Sequence, residues 1–190
     1  MISLRWQTPA RWVDVVEDAL VDFLQDHAAN EHRVSRAALT LAVQHPEREE
    51  LVRAMIDVSL EELTHFKQVH GLLEARGATL GRDHPDPYMR SLRKAISDPD
   101  RETWLRNRLV LFGIVERRGY ERFAMLGERL SDPELRAIYQ ELARSEARHQ
   151  GLYLRLARAY FGDAVDPVLD RYLDLEAETI ARQPLGPALH

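Results

Sequence analysis

The chain has 190 residues, of which 45% are hydrophobic and 30% are charged, and its formal net charge is −5 at pH 7. A chain of this length can bury a sizeable core, and its acidic balance argues against uniform coating of nucleic acid but not against a local basic patch. Cysteine is absent, which excludes disulfides, thiolate zinc sites and Cys-ligated iron–sulfur clusters. The sequence has neither an apolar leader nor a run of about 20 apolar residues, so we expect a cytoplasmic protein without a membrane span.

Proline and glycine mark the ends of the helices in the first half of the chain. Thr8-Pro9 predicts the start of the first long helix, and His45-Pro46 predicts its end and the start of the second. Gly77 is suited to follow the second helix, because glycine readily adopts the left-handed conformation found there. The turn residues His84-Pro85-Asp86-Pro87 predict a longer connection, which also holds a short helix around Tyr88–Ile96.

Aspartate–proline pairs mark the starts of the helices in the second half. Asp98-Pro99 and Asp132-Pro133 predict the starts of the third and fourth helices, and Gly162 predicts the end of the fourth. Asp166-Pro167 predicts a shorter fifth helix, which a loose tail at 183–190 should follow. The sequence has no sustained alternation of polar and apolar residues and no Asn-Gly turn, so no strand is predicted.

A Glu-x-x-His motif occurs twice, and each copy follows about thirty residues after a single glutamate on another predicted helix. Positions i and i+3 of a helix lie on one face, so each motif projects a carboxylate and an imidazole in the same direction. The chain therefore repeats one pattern of glutamate followed by Glu-x-x-His. The six candidate metal ligands are Glu31, Glu62 and His65 in the first half and Glu116, Glu146 and His149 in the second.

All six candidates lie on otherwise apolar helix faces. Buried carboxylates that converge without a cation would raise one another's pKa values and destabilise the fold. Four carboxylates and two imidazoles on two helix pairs are the ligand set of a dinuclear site in a four-helix bundle, and the oxygen-rich set suits iron or manganese better than zinc. The alternative is a metal-free bundle held by Glu–His pairs between helices, but the repeated spacing favours the metal site.

These features predict an all-α, ferritin-like four-helix bundle with one longer crossover connection and a short C-terminal helix. We expect a single domain over residues 1–190, with the bundle at about 9–162 and the C-terminal helix at about 166–181.

Acidic residues that neighbour the candidate ligands on the same helix should not bind the metal ions. Glu121 and Glu141 each lie five residues from a candidate ligand, which is about 140° around the helix.

Four further residues could act beside the metal ions. Glu61 and Ser145 each precede the glutamate of a motif and are predicted to hydrogen-bond a ligand imidazole, although solvated or capping roles suit them equally. Tyr120, one turn after the lone glutamate of the second half, could line a cavity, and core packing explains it as well. His27, one turn before the lone glutamate of the first half, is either near the site or an ordinary helix-face histidine, and we favour the second interpretation.

The residues around the candidate ligands resemble those of the MiaE family of tRNA-modifying hydroxylases. The resemblance covers nearly the whole chain and is carried by residues 23–31, 61–66, 116–123 and 145–149. The segments Glu-Arg-Phe and Ser-Glu-Ala-Arg-His are its most specific parts, because Glu-x-x-His alone indicates only a ferritin-like di-metal protein. Arg117, Gly119 and Tyr120 depart from the family pattern.

The resemblance implies an O2-dependent monooxygenase that hydroxylates the isopentenyl group of 2-methylthio-N6-isopentenyladenosine beside the tRNA anticodon. It implies two iron ions, with manganese as the alternative metal, and O2 as co-substrate. Since the chain has no cysteine, electrons would come from a separate reductase or ferredoxin. Two other classes stay open, namely another ferritin-like di-metal oxidase, peroxidase or hydroxylase, and a helical bundle without catalysis. The sequence leaves the oligomeric state open.

A basic stretch between residues 88 and 122 holds nine basic residues against five acidic ones. Together with the resemblance, this excess predicts a surface for tRNA phosphates, whereas an ordinary solvated helix face is the alternative. The predicted tRNA contacts are Arg90, Arg93, Lys94, Arg117, Arg118 and Arg122. On this interpretation Arg118→Glu should weaken tRNA binding without changing the iron content.

Overall fold

The computed structural model describes residues 2–82 and 85–190, and in these ranges the chain forms seven α-helices, one short 3-10 helix and no strand. The helices are α1 (Trp12–Asp18), α2 (Leu20–Gln44), α3 (Glu49–Glu74), α4 (Pro87–Ile96), α5 (Arg101–Arg129), α6 (Pro133–Phe161) and α7 (Asp166–Ala181), with the 3-10 helix at Gly162–Ala164. The predicted turn that begins at His84 lies partly outside the described residues. Across those same ranges, no helix has the length and apolar character needed to cross a bilayer.

The chain divides into two compact units, each built on one pair of long antiparallel helices. The α2–α3 unit comprises Asp14–His84 and Gly186–Leu189, and the α5–α6 unit comprises Met1–Val13, Pro85–Leu185 and His190. Each unit carries one lone glutamate and one Glu-x-x-His motif. The single domain expected from the sequence stays a prediction.

Apolar side chains and one serine pair hold α2 against α3. Four fully buried side chains form a cluster near one end of the pair: Leu24, Ala28, Val69 and Leu73. Burying a side chain as large as leucine contributes about 1.5–3 kcal/mol. Nearer the middle, the Ser35 hydroxyl donates to the Ser59 carbonyl at 2.9 Å, which satisfies a buried polar group that would otherwise cost free energy.

Gly77 ends α3 in the way the sequence predicts. Its φ is +66°, in the left-handed region that glycine adopts without a steric penalty. The Gly77 amide donates to the Glu74 carbonyl at 2.9 Å, and the Ala78 amide donates to the Leu73 carbonyl at 3.0 Å. These two bonds form a Schellman motif, which satisfies the last carbonyl groups of the helix.

Two glycines bring α5 and α6 close together. A Cβ atom at Gly127 would lie 2.8 Å from Gln140 Cγ and 3.0 Å from the Gln140 backbone nitrogen, and one at Gly113 would lie 2.9 Å from Leu154 Cγ. Carbon atoms pack favourably only at about 3.5–4.0 Å, so a side chain at either position would push the helices apart. The close approach places Glu116 of α5 next to the Glu-x-x-His motif of α6.

Thr8 does not cap a helix, and this part of the sequence prediction is wrong. The Thr8 amide and hydroxyl both donate to the Glu121 carboxylate, at 3.0 and 2.8 Å. Pro9 begins a turn instead, in which the Trp12 amide donates to the Pro9 carbonyl at 2.9 Å. The backbone leaves helical geometry again at Ala19, with φ −133° and ψ 48°. The first predicted helix is therefore two helices, α1 and α2.

Aspartate side chains cap α4, α5 and α6. Asp132 opens α6 as the sequence predicts. The cap of α5 is Asp100, whose carboxylate accepts from the Thr103 amide at 2.7 Å, rather than the predicted Asp98. Asp98 accepts from the Asp100 amide at 2.9 Å, so it orders the residues before the helix instead of beginning it.

The C-terminal tail is held in place, and the predicted loose tail at 183–190 is wrong. In the α2–α3 unit, the Leu189 amide donates to the Asp26 carboxylate at 2.7 Å. In the α5–α6 unit, the His190 ring stacks on the Tyr88 ring, with the centroids 4.7 Å apart. These contacts join residues far apart in sequence, which is why local composition did not reveal them.

Candidate metal centre

The α2–α3 unit brings together Glu31 from the middle of α2 and Glu62 and His65 from α3. Each residue offers one ligand atom, and the three atoms all lie within 4.8 Å of one another. His65 Nδ1 is 3.0 Å from Glu62 Oε2 and 3.7 Å from Glu31 Oε2. All three residues are buried, so solvent contributes little to neutralising their charges.

Opposite charges hold this first group together. Burial lowers the pKa of His65, but the two carboxylates outweigh it and raise that pKa to about 10. Burial likewise raises the pKa of Glu31, but hydrogen bonds from His27 and His65 outweigh it and hold the pKa below its usual value. A protonated His65 therefore offsets the charge of the ionised Glu31 carboxylate, and a bound metal ion would displace that proton.

The α5–α6 unit holds the second group, formed by Glu116, Glu146 and His149. Their ligand atoms also lie within 4.8 Å of one another, and all three residues are buried. Gly119 faces the group, because a Cβ atom there would lie 3.3 Å from Glu146 Oε2. Gly119 thus leaves space for the Glu146 carboxylate.

Each group has the chemistry to hold a metal ion. Carboxylate oxygens and imidazole nitrogens are ligands that iron and manganese accept. Two neighbouring buried carboxylates are costly without a cation, because each disfavours the ionised form of the other. Both groups contain two glutamates and one histidine in the same sequence order, so each unit by itself fits one metal ion.

His27 is a residue that the sequence interpretation undervalued. It is 0% exposed, and its Nε2 lies 2.6 Å from Glu31 Oε1. Because the Glu31 carboxylate is ionised and can only accept, the imidazole donates this bond. His27 therefore orients a candidate ligand. The i,i+4 spacing on an apolar helix face was the available signal, but it does not distinguish a partner of Glu31 from a core histidine.

We expect His27→Phe to lower the affinity for ferrous ion by about 10- to 100-fold, the usual effect of removing a hydrogen bond to a metal ligand. The counterpart of His27 in the α5–α6 unit is Phe112, four residues before Glu116, so phenylalanine is already compatible with such a position. Anaerobic titration with ferrous ion measures the change. His27→Gln keeps a donor and should recover part of the affinity. His70→Phe serves as the matched control, because the His70 side chain is 39% exposed, and equal affinities for both Phe variants would refute the role of His27.

The acids excluded on helix geometry do have other partners. Glu121 accepts from the Thr8 amide and hydroxyl, and Glu141 is exposed on α6, 3.9 Å from Arg144. These contacts confirm that both carboxylates point away from the ligand face.

The three residues predicted to support the metal ions have mixed surroundings, and their roles stay predictions. Ser145 is buried, and its hydroxyl accepts from Arg148 Nη2 at 3.2 Å. Glu61 is half-buried on α3. The half-buried Tyr120 ring lies under the Arg117 guanidinium group, 4.7 Å from it.

Arg118 and Arg122 are buried, which corrects their prediction as tRNA contacts. They are 0% and 4% exposed. Arg118 donates twice to Glu176, from Nε to Oε1 at 2.8 Å and from Nη2 to Oε2 at 3.0 Å, and it also donates to Glu121. The Arg122 guanidinium group lies over the Trp12 ring, 4.9 Å from its centroid. A phosphate cannot reach either group without opening the fold.

The other predicted basic contacts lie nearer the surface. Three of them are exposed on α4, namely Arg90, Arg93 and Lys94. Arg117 is half-buried, and its Nε donates to the Ile2 carbonyl at 2.9 Å. Among the six predicted contacts, the three on α4 are therefore the ones that are fully available to a polyanion.

Two antiparallel helix pairs, each with a buried group of two glutamates and one histidine, define the class of ferritin-like di-metal proteins. A solved structure described as Protein 43 with aldehyde deformylating oxygenase activity from Synechococcus matches this chain with a TM-score of 0.88 and 28% sequence identity. The match covers 100% of this chain and 96% of that one. The prediction of an all-α, ferritin-like fold is confirmed.

The chain belongs to the MiaE family, whose model, described as tRNA-(MS[2]IO[6]A)-hydroxylase, matches residues 2–190. A relative from Pseudomonas putida is 34% identical over 159 residues, covering 84% of this chain and 76% of the relative. Another from Salmonella typhimurium is 30% identical over 176 residues, covering 86% of this chain and 64% of the relative. Both are named tRNA 2-(methylsulfanyl)-N(6)-isopentenyladenosine(37) hydroxylase.

Proposed function

We propose that this chain is an O2-dependent di-iron monooxygenase that hydroxylates the isopentenyl group of a hypermodified adenosine next to the tRNA anticodon. The observation that carries the proposal is a family match over residues 2–190 in a chain with two buried groups of metal-binding side chains. The matched relatives are named for this modified adenosine. Since tRNA is the substrate, the proposed reaction takes place in the cytoplasm.

Six residues would hold the two iron ions: Glu31, Glu62, His65, Glu116, Glu146 and His149. Iron is the metal of choice because it can activate O2, which zinc cannot, and because carboxylate and imidazole ligands suit it. When bound, the two ions would supply the electrons and the Lewis acidity for O2 reduction. Manganese remains the alternative metal for the same ligand set.

The protein's own contribution is to orient ligands and exclude water. His27 holds one oxygen of Glu31 through its hydrogen bond, so the carboxylate keeps one orientation. The Phe112 and Tyr153 rings, one turn from Glu116 and His149 respectively, meet edge to face with centroids 5.3 Å apart. Such apolar cover keeps bulk water from quenching a reactive oxidant.

The proposed reaction converts a carbon–hydrogen bond of the isopentenyl group into a carbon–hydroxyl bond. One atom of O2 enters the product and the other leaves as water, so the reaction consumes two electrons and two protons. The chain contains no cysteine and so no cysteine-ligated relay, and we propose that a separate reductase or ferredoxin supplies the electrons. The exposed basic side chains of α4 would attract the tRNA phosphates.

The proposal is tested on tRNA from a strain of the source organism that lacks the gene. Purified iron-loaded chain, a chemical or ferredoxin reductant and O2 should convert its isopentenyl nucleoside into a product one oxygen atom heavier, measured by mass spectrometry of a nucleoside digest. With oxygen-18 gas, the added atom should carry the label. A control without O2 should give no product.

An unchanged nucleoside profile with a fully loaded iron centre would reject the tRNA assignment. Such a result would favour another ferritin-like oxidase. If the same chain consumed O2 without modifying tRNA, the assignment of the metal centre would be supported and the assignment of the substrate would be wrong.

A further inference from the structure

Arg108 on α5 occupies an unusual position for an arginine. Its guanidinium group lies over two aromatic rings of the same helix, 4.9 Å from the Trp104 centroid and 4.9 Å from the Phe112 centroid. Its Nε is buried and has no hydrogen-bond partner within residues 2–82 and 85–190. Stacking of this kind fixes the plane and position of the guanidinium group, but it leaves the hydrogen-bond donors unused.

No carboxylate in the described part of the chain forms an ion pair with Arg108. Among charged groups, the one that acts on it most strongly is another cation, the exposed Arg93 of α4. Burial, and then repulsion from Arg93, lower the pKa of Arg108 to about 10. By contrast, the fully buried Arg118 in the same unit has two carboxylate partners. Arg108 is thus a half-buried cation held by two rings, repelled by a second cation and without a carboxylate partner, an arrangement that favours binding of an anion.

The location of Arg108 connects it with the metal ligands. Trp104, Arg108, Phe112 and Glu116 follow at intervals of four residues, so they form one stripe along α5. Eight residues separate Arg108 from Glu116, about 12 Å along the helix axis at 1.5 Å per residue. A nucleotide whose base carries a prenyl group spans a comparable length from its phosphate to the end of the prenyl chain.

We propose that Arg108, together with the exposed Arg93 of α4, binds a backbone phosphate of the tRNA at or next to the modified adenosine. This inference rests on the proposed function. Anchoring the phosphate two helical turns from Glu116 would set how far the prenyl group reaches toward the metal ions. Arg108 would then be a positioning residue, and its planar guanidinium group, preorganised by the rings, suits bidentate binding of a phosphate.

The test compares three variants of the iron-loaded protein. Arg108→Met keeps a side chain against the two rings and removes the charge, whereas Arg108→Lys keeps the charge but loses the planar guanidinium group that can bind a phosphate with two hydrogen bonds. Arg129→Met is the matched control, because Arg129 is exposed in the last turn of the same helix. Iron content and melting temperature are measured for each variant, and tRNA binding is measured over a range of salt concentrations.

We expect Arg108→Met to weaken tRNA binding and to raise KM by about tenfold, the loss of one charge-assisted contact. The slope of log K against log salt should fall by about 0.7–0.9, the change for one phosphate contact. Arg108→Lys should recover part of the affinity, and Arg129→Met should match the wild type. The iron content should not change, and the melting temperature should not fall, because the charge that is removed has no carboxylate partner.

Substrates without a phosphate provide the decisive comparison. With the free modified nucleoside, the wild type and Arg108→Met should have equal kcat/KM, because this substrate has no phosphate for Arg108 to bind. Wild-type affinity and salt dependence for tRNA in Arg108→Met would overturn the inference while the proposed function stands. A lowered melting temperature together with equal losses on tRNA and nucleoside would also overturn it, since it would show a structural role. If the wild type fails to hydroxylate tRNA at all, the proposed function falls and this inference falls with it.

Discussion

Replacing Glu62 or His149 by alanine should reduce the iron content from two ions per chain to one or none. Each substitution removes one of the three ligand atoms that lie within 4.8 Å of one another in its unit. Only two protein ligands then remain in that unit, and water must take the place of the third. The unit should therefore bind iron much more weakly. Metal analysis after anaerobic loading with ferrous ion measures the loss, and hydroxylation of tRNA should disappear with it.

Glu141→Ala is the matched control for these two variants. Glu141 is a glutamate on α6 like Glu146, but its side chain is 72% exposed and lies 3.9 Å from Arg144. Exposed pairs of this kind contribute about 0–1 kcal/mol, so this variant should bind both iron ions. The ligand assignment would be abandoned if Glu62→Ala and His149→Ala also retained two ions per chain with wild-type affinity.

The candidate ligands could be found in the sequence because helix geometry is regular. An i,i+3 pair lies on one face whatever surrounds it, so the two Glu-x-x-His motifs needed no knowledge of packing. The exclusion of Glu121 and Glu141 used the same periodicity. The helix ends at Gly77, Asp132 and Gly162 could be predicted for a similar reason, because a single residue supplies the backbone conformation or the capping group that a helix end requires.

The partners of the buried polar residues could not be predicted from helix geometry. Whether Arg118 faces phosphate or a buried carboxylate depends on Glu176, which is 58 residues away in sequence. Thr8 looked like a helix cap because its local sequence has that pattern, yet a carboxylate 113 residues away takes its amide and hydroxyl. Long-range polar contacts override local preference at both positions, and composition cannot distinguish a basic surface from a set of buried ion pairs.

The residues that these long-range contacts join form a buried polar cluster in the α5–α6 unit, where removal of a single charge should be costly. We name it the Arg118 cluster, and its members are Thr8, Tyr88, Arg118, Glu121, Arg122 and Glu176. The Tyr88 hydroxyl lies 3.2 Å from Glu176 Oε1, and Arg118 and Arg122 each donate to the Thr8 hydroxyl at 3.3 Å. Two guanidinium groups face two carboxylates, so the charges balance, and the cluster joins α4, α5 and α7 to the N-terminal segment.

Arg118→Met should destabilise the protein by about 3–5 kcal/mol, the cost of breaking a buried ion pair by removing one partner. The substitution leaves the Glu176 carboxylate, 0% exposed, without its main cation. Urea or thermal unfolding of the protein measures the change. Arg118→Glu, the variant that would test tRNA binding if Arg118 were exposed, should be worse still, because it places a third carboxylate beside Glu121 and Glu176. Any loss of tRNA affinity in that variant would report unfolding rather than a lost phosphate contact.

A double substitution separates the cost of the unpaired charge from the cost of lost packing. Arg118→Met combined with Glu176→Gln leaves no unpaired carboxylate at position 176, and the glutamine can still accept from Tyr88. The double variant should therefore be more stable than Arg118→Met alone, although less stable than the wild type because Glu121 keeps its charge. If the single and double variants unfolded at the same urea concentration, the ion pair would not be the source of the stability. Arg118 is only two residues from Glu116, but it bonds to Glu176, Glu121, Thr8 and Trp6 and not to the six ligands, so the folded fraction of each variant should still bind ferrous ion.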